Sequence, residues 1–126
     1  MTNSNEKFTI LVVDDLAQNR RILKNIARHA GYTVDECTSG IEAIQYVYNK
    51  KPDVILMDYK MPEISGPETI KEIRKINGLE NVKVLMVTAR NDSTSVKKAM
   101  NAGIDGYIIK PVNIHDVLSK IASLLN

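Results

Sequence analysis

Five residues of this chain have types and positions that could do chemistry together: Asp14, Asp15, Asp58, Thr88 and Lys110. Each follows or closes a short apolar run, which places each at the carboxyl end of a predicted strand. In an open parallel α/β sheet those ends converge on one crevice, where ligands bind. Carboxylates held a few ångströms apart repel, and one would ordinarily take up a proton. A divalent cation removes that conflict. Hard oxygen donors with room for water and phosphate suit Mg2+, which commonly takes one or two carboxylates plus substrate oxygens. Zinc would call for His or Cys, and His29 and His115 fall in helical segments away from the strand ends.

Phosphoryl transfer fits this set, because its catalysis is mostly positioning and charge stabilisation. Mg2+ can hold one phosphoryl oxygen and the Lys110 ammonium another. The Thr88 hydroxyl, with nearby backbone N–H groups, can hold a third. A carboxylate can serve as nucleophile and form an aspartyl-phosphate. Asp58 is the better candidate, since Asp14 and Asp15 are adjacent and one or both are wanted as metal ligands. Taken singly, each residue also has a structural reading: Asp15 as a cap of the first helix, Thr88 of the fourth, Lys110 as a surface cation. Their joint placement favours a site.

The elements that must position these residues alternate strand and helix five times. Apolar, β-branched runs over 8–13, 53–57 and 82–87 read as strands covered on both faces. The more polar run 32–37 and the short run 106–109 read as the two edges. Between them, apolar residues recur every three or four positions. Leu16, Leu23, Ile26, Ala27 and Ala30 mark the first helix, and Ile41, Ile44 and Val47 the second. Ile70, Ile73 and Ile76 mark the third, Val96, Ala99 and Met100 the fourth, and Ile114, Val117, Leu118, Ile121 and Leu125 the fifth. Each set is predicted to face the sheet. Ser39, Ser65 and Asn113 stand where N-caps belong, and Gly31 and Gly103 where helices end. Pro67 falls in a first helical turn, where its missing N–H does no harm. A doubly wound parallel sheet follows.

At 126 residues the chain suits one domain. Its 17 basic residues against 15 acidic ones leave a net charge of only +2, too small and scattered to argue for nucleic acid. Arg20, Lys24, Lys50, Lys71, Lys97 and Lys120 read as solvated helix faces. Residues 1–7 form a polar leader before a domain over 8–126, and no run is apolar enough to span a bilayer. Cys37 is the single cysteine, so an internal disulfide and a cysteine zinc site are both excluded and a cytoplasmic location is expected.

The sequence resembles the response-regulator receiver domains of two-component signalling, the family that includes the bacterial chemotaxis receiver. The resemblance rests on Leu11-Val-Val-Asp-Asp15, Asp58-Tyr-Lys-Met-Pro62 followed by Gly66, Val87-Thr-Ala89 and Tyr107-Ile-Ile-Lys-Pro111. It covers the chain from Ile10 to Leu125. The resemblance implies a flavodoxin-like five-stranded parallel sheet of order 2-1-3-4-5 with five helices. By the same resemblance Asp58 matches the phosphoacceptor, and Asp15 and Asp58 match direct Mg2+ ligands. The backbone carbonyl of Lys60 matches a third ligand, and Asp14 acts through water. Lys110 matches the phosphate-pairing lysine, joined to Pro111 by a cis bond. Thr88 and Tyr107 match a switch pair, in which the hydroxyl moves toward the phosphoryl group and the ring turns inward to fill the space. The surface expected to change is the fourth helix, last strand and last helix.

Departures from the family pattern are Ser65 in place of a common aspartate, and Pro67 after Gly66. Lys60 and Arg90 flank the site with positive charge, either to shield the phosphoryl group or simply to meet solvent. The expected function is Mg2+-dependent transfer of a phosphoryl group to Asp58 from a histidine kinase or histidine phosphotransfer protein. The expected receiver is not an enzyme in the ordinary sense, although it would self-phosphorylate and slowly hydrolyse its acyl phosphate. Output is expected through a downstream protein target, without nucleic acid or membrane, from a monomer or a phosphorylation-dependent dimer. A receiver cut from a hybrid histidine kinase or a larger response regulator is the alternative. A haloacid-dehalogenase-like phosphatase is a remote one, because it needs its nucleophile on the first strand.

Overall fold

The computed structural model describes residues 4–126. Residues 1–3 of the expected polar leader lie outside the described residues, and Ser4–Lys7 makes a single 3-10 turn. The strands are β1 (Thr9–Val13), β2 (Thr33–Cys37), β3 (Val54–Met57), β4 (Lys83–Thr88) and β5 (Gly106–Ile109). The helices are α1 (Ala17–His29), α2 (Gly40–Asn49), α3 (Gly66–Arg74), α4 (Ser93–Ala102) and α5 (Ile114–Leu125). All strand pairs are parallel, in the order β2-β1-β3-β4-β5, so the chain reverses direction across β1 and β3.

Side chains of a strand alternate between the two faces, which makes two cores from each apolar run. Leu11, Val13, Ile55, Met57, Val84 and Met86 pack against Ala43 and Val47 of α2, Ile70 and Ile73 of α3, and Ala99 of α4. The intervening Ile10, Val12, Val54, Leu56, Leu85 and Val87 pack against Leu23 and Ile26 of α1 and Val117 and Ile121 of α5. Burial on both faces is why these runs carry no polar alternation.

Four residues assigned to sheet-facing stripes are instead exposed: Leu16 (54%), Ile41 (40%), Met100 (61%) and Ile114 (57%). Leu16 is the N-cap of α1, while Ile41 and Ile114 lie in the first turns of α2 and α5, where the helix has not yet come over the sheet. Met100 follows the fully buried Ala99, and one residue on a helix turns the side chain by about 100°. Two basic residues read as solvated are also held down. Arg20 and Lys24 of α1 both pair with Glu36 of β2, with side chains only 14% and 19% exposed.

The expected caps are in place. Ser39, Ser65 and Asn113 accept hydrogen bonds from the backbone N–H of Glu42, Glu68 and Asp116. Ser65 and Glu68 form a reciprocal capping box at the start of α3. Gly103 ends α4 at φ 91°, a conformation that costs glycine nothing.

Candidate functional site

The carboxyl ends of β1, β3, β4 and β5 bring the five predicted residues to one edge of the sheet. Asp14 follows β1 and is fully buried; its own N–H bonds to the Cys37 carbonyl of β2, which continues the ladder one residue further. Its Oδ1 accepts from the Leu16 N–H at 2.9 Å, so Asp14, and not Asp15, satisfies the entry to α1. Asp15 is the least buried of the three acids. Asp58 follows β3 and is 9% exposed. Its N–H bonds to the Val13 carbonyl at 2.9 Å, and its Oδ1 accepts from the Tyr59 N–H at 2.8 Å. Carboxylate oxygens of Asp14, Asp15 and Asp58 all lie within 4.8 Å of one another.

Lys110, just past β5, reaches across the sheet edge to both buried acids. Its Nζ stands 3.0 Å from Asp14 Oδ2 and 3.7 Å from Asp58 Oδ2. The peptide between Lys110 and Pro111 is cis. Thr88 ends β4 and is 3% exposed, with its Oγ1 accepting from the Arg90 N–H at 3.3 Å. Asp92 caps α4, so Thr88 has no capping role there.

Burial holds the Asp58 carboxyl above the ordinary carboxylate range, and the charge of Asp14 adds to the effect. The Lys110 ammonium, the Tyr59 N–H and the Thr88 hydroxyl oppose this without cancelling it. A chain that keeps three acids this close has built a repulsion that a cation would relieve. The donors are all hard oxygens, with no imidazole or thiolate among them, and so fit a divalent cation of the magnesium type. His29 and His115 are exposed on α1 and α5, and the Cys37 thiol is buried at the end of β2.

The β3–α3 loop is held against the site by Gly66. A Cβ on this residue would stand 2.2 Å from the Asp58 carbonyl oxygen, so only glycine allows the loop to pass. The Gly66 N–H bonds to the Tyr59 carbonyl at 2.7 Å, closing the turn. Within the loop, Glu63 has φ 73°, the one non-glycine residue in the left-handed region among the described residues.

A family model, that of the response regulator receiver domain, matches residues 10–122. The chain belongs to this family. It is 38% identical over 117 residues to the chemotaxis protein CheY of Thermotoga maritima, spanning 90% of this chain and 96% of that one. A CheY-like receiver domain protein of Methanospirillum hungatei superposes with a TM-score of 0.87 at 32% identity, covering 94% of this chain and 93% of its own. The receiver domain of a Pseudomonas aeruginosa sensor histidine kinase superposes with a TM-score of 0.88 at 25% identity, covering 94% and 97%. That structure carries a magnesium ion coordinated in its active site cleft. The sheet order and the five helices expected from the sequence are those of this family's fold.

Three contacts around the receiver's site were not foreseen from its sequence. Arg20 donates to the Asp14 carbonyl at 2.9 Å, so a residue read as a solvated helix cation steadies the acidic turn. The Arg90 guanidinium lies over the Tyr59 ring, 5.3 Å from its centroid, which joins the loops after β3 and β4. Tyr107 of β5 donates from its hydroxyl to the Arg90 carbonyl at 2.6 Å. The ring expected to move thus begins hydrogen-bonded to the loop after Thr88, and no sequence spacing announces that bond.

Proposed function

We propose that Asp58 is the phosphoacceptor of this receiver, and that residues 8–126 form the unit that carries it. The observation that supports this most directly is Lys110 placed between Asp14 and Asp58, at 3.0 and 3.7 Å. A cation so placed can pair with phosphoryl oxygens as they arrive next to the Asp58 carboxylate. An Asp58 oxygen forms the new P–O bond while the P–N bond of a phosphohistidine donor breaks. The electron pair stays on the imidazole nitrogen, which takes a proton from solvent. The later reverse is hydrolysis: water adds to phosphorus, the acyl phosphate bond breaks, and the carboxylate and inorganic phosphate are released.

Asp15 and Asp58, with the backbone carbonyl of Lys60 and with Asp14 through water, would hold a Mg2+. A bound Mg2+ supplies charge neutralisation for the phosphoryl oxygens and for the acids themselves. Lys110 orients the group from the opposite side. Thr88 gives up its bond to the Arg90 N–H and donates its hydroxyl to the phosphoryl group. Tyr107 then leaves the Arg90 carbonyl and turns inward, changing the surface of α4, β5 and α5.

The phosphoryl donor is a histidine kinase or a histidine phosphotransfer protein, and the changed surface meets a downstream protein in the cytoplasm. Receivers similar to this one occur alone and within kinases: a matching segment lies in the sensor histidine kinase CheAY of Helicobacter pylori, 33% identical over 111 residues. The same site serves either arrangement. The related Borrelia burgdorferi CheY, 26% identical, is complexed with CheX, an instance of a protein partner on such a fold. For this chain a monomer that docks one partner at a time is the simplest state.

The test is incubation with acetyl phosphate and Mg2+ followed by intact mass. One phosphoryl adduct is expected on the native chain, none without Mg2+, and none on Asp58→Asn. An undiminished adduct on Asp58→Asn would overturn the assignment.

A further inference from the structure

Between α3 and α4, next to the loop that carries Asp58, lies a cavity of about 670 Å3. Four cations line it: Lys60 from the β3–α3 loop, Lys71 from α3, Arg90 from the β4–α4 loop and Lys98 from α4. All four are exposed. Elsewhere several basic side chains are answered by an acid, as Arg20 and Lys24 are by Glu36, Lys50 by Asp35 and Arg74 by Asp105. Among the described residues none of the four cleft cations is within ion-pair distance of a carboxylate.

Two carboxylates, Glu68 and Asp92, share the cleft, and both are already engaged in capping helices. Glu68 accepts from the Ser65 N–H at 2.9 Å, and Asp92 from the Ser95 N–H at 3.0 Å. These hydrogen bonds hold both acids below the ordinary carboxylate range, so they stay charged but oriented toward backbone. Two negative charges against four positive ones leave the cleft positive. A site for a small molecule is typically mostly apolar, with a few convergent buried polar groups. This cleft is polar, and its cations stand on both walls without an ion-pair partner, Arg90 resting on the Tyr59 ring. Such an arrangement suits a flexible acidic chain, whose carboxylates gain steering and register from opposed charge.

We propose that the α3–α4 cleft docks an acidic, Asp- and Glu-rich segment of a protein partner. Lys71 and Lys98 engage it from the two helices, and Lys60 and Arg90 engage the end nearest Asp58. A partner seated there touches the rim of the phosphorylation site without entering it. The proposal does not rest on Asp58 being the acceptor, and the two have separate readouts.

The test titrates 15N-labelled receiver with a hexaglutamate peptide at low salt, with hexaglutamine and pyrophosphate as parallel arms. Saturable amide shifts confined to α3, α4 and their preceding loops are expected with hexaglutamate, and none with hexaglutamine. Affinity should fall several-fold as salt rises past the point where exposed charges are screened. The Lys71→Glu, Lys98→Glu double variant should keep its dispersed spectrum and its labelling by acetyl phosphate while losing the shifts. Shifts spread equally over Arg21, Arg28 and Lys51, or shifts that survive the double variant, would overturn the proposal. So would pyrophosphate binding to the same amides more tightly than the peptide, which would make the cleft a small-polyanion site.

Discussion

Lys110 Nζ lies 3.0 Å from Asp14 Oδ2 and 3.7 Å from Asp58 Oδ2, so one ammonium serves two buried acids from different strands. One positive charge against two negative ones leaves the group net negative, and Asp15 adds a third acid from the open side. Holding these acids together and buried costs folding stability wherever no further cation offsets them. Asp58, held above its ordinary range by burial and Asp14, binds more protons in the folded chain than in the unfolded one between the unfolded and folded values. Its ionisation thus destabilises the fold, a cost absent below the unfolded value and fully present above the folded one.

Asp58→Asn is accordingly expected to be more stable than the native chain without Mg2+, by about 1–2 kcal/mol at neutral pH. Urea denaturation at a series of pH values checks this. The gap should narrow as pH falls through the raised Asp58 value, and should also narrow when Mg2+ is added, since the cation binds the folded native chain better than the variant. A gap that widens on acidification would contradict the proposed repulsion.

The Tyr107 hydroxyl bonded to the Arg90 carbonyl at 2.6 Å gives the resting position of the ring a defined anchor. Tyr107→Phe removes that anchor and should cost about 0.5–1.5 kcal/mol in urea denaturation. The Asp58 adduct from acetyl phosphate should persist, because the phenol touches none of the acids. The amide spectrum of the loop from Ala89 to Asp92 should shift even without phosphorylation, as the Arg90 carbonyl takes a new partner.

How far the sequence reached depended on whether a feature is set by the strands or by packing between elements. The strand positions of Ile10 through Val13 and of Val54 through Met57 follow from their unbroken apolar character, and with them the placement of Asp14 and Asp58. Ser65 and Glu68 could be paired by spacing alone, because a capping box is local. Arg20 could not be separated from Lys71, since both look like helix cations; only the approach of α1 to β2 brings Arg20 under Glu36 and onto the Asp14 carbonyl. Arg90 over Tyr59 joins two loops whose relative position no single segment encodes. Leu16, Ile41 and Ile114 kept the helical period but lie where the helix has not reached the sheet, so periodicity alone overcounted the core.

Cys37 tests the packing at the end of β2. It is 2% exposed, and burial, reinforced by Glu42, pushes its thiol up to about 12. The thiolate is the reactive form, so the folded chain should resist alkylation by iodoacetamide at pH 8. Full labelling is expected only in denaturing urea. Rapid native labelling would mean that the junction of β2 and α2 opens far more readily than its packing implies.

The β3–α3 loop offers two substitutions with opposite signs a few residues apart. Glu63 holds φ 73°, a conformation that strains a side chain with a Cβ, whereas Gly66 passes so close to the Asp58 carbonyl that an added Cβ would stand at 2.2 Å. Glu63→Gly relieves the strain but gives the unfolded chain more freedom, and these terms oppose. The strain term is the larger, so a gain of about 0.5 kcal/mol is expected in urea denaturation. Gly66→Ala must instead displace backbone, because the atom in the way is a main-chain oxygen that cannot rotate aside; a loss of at least about 2 kcal/mol is expected. The displaced atom belongs to the proposed acceptor, so Gly66→Ala should also slow adduct formation from acetyl phosphate, which Glu63→Gly should leave unchanged. Intact mass over time separates the two, and equal rates for both variants would show that the loop tolerates a shift at Asp58 that this packing does not allow.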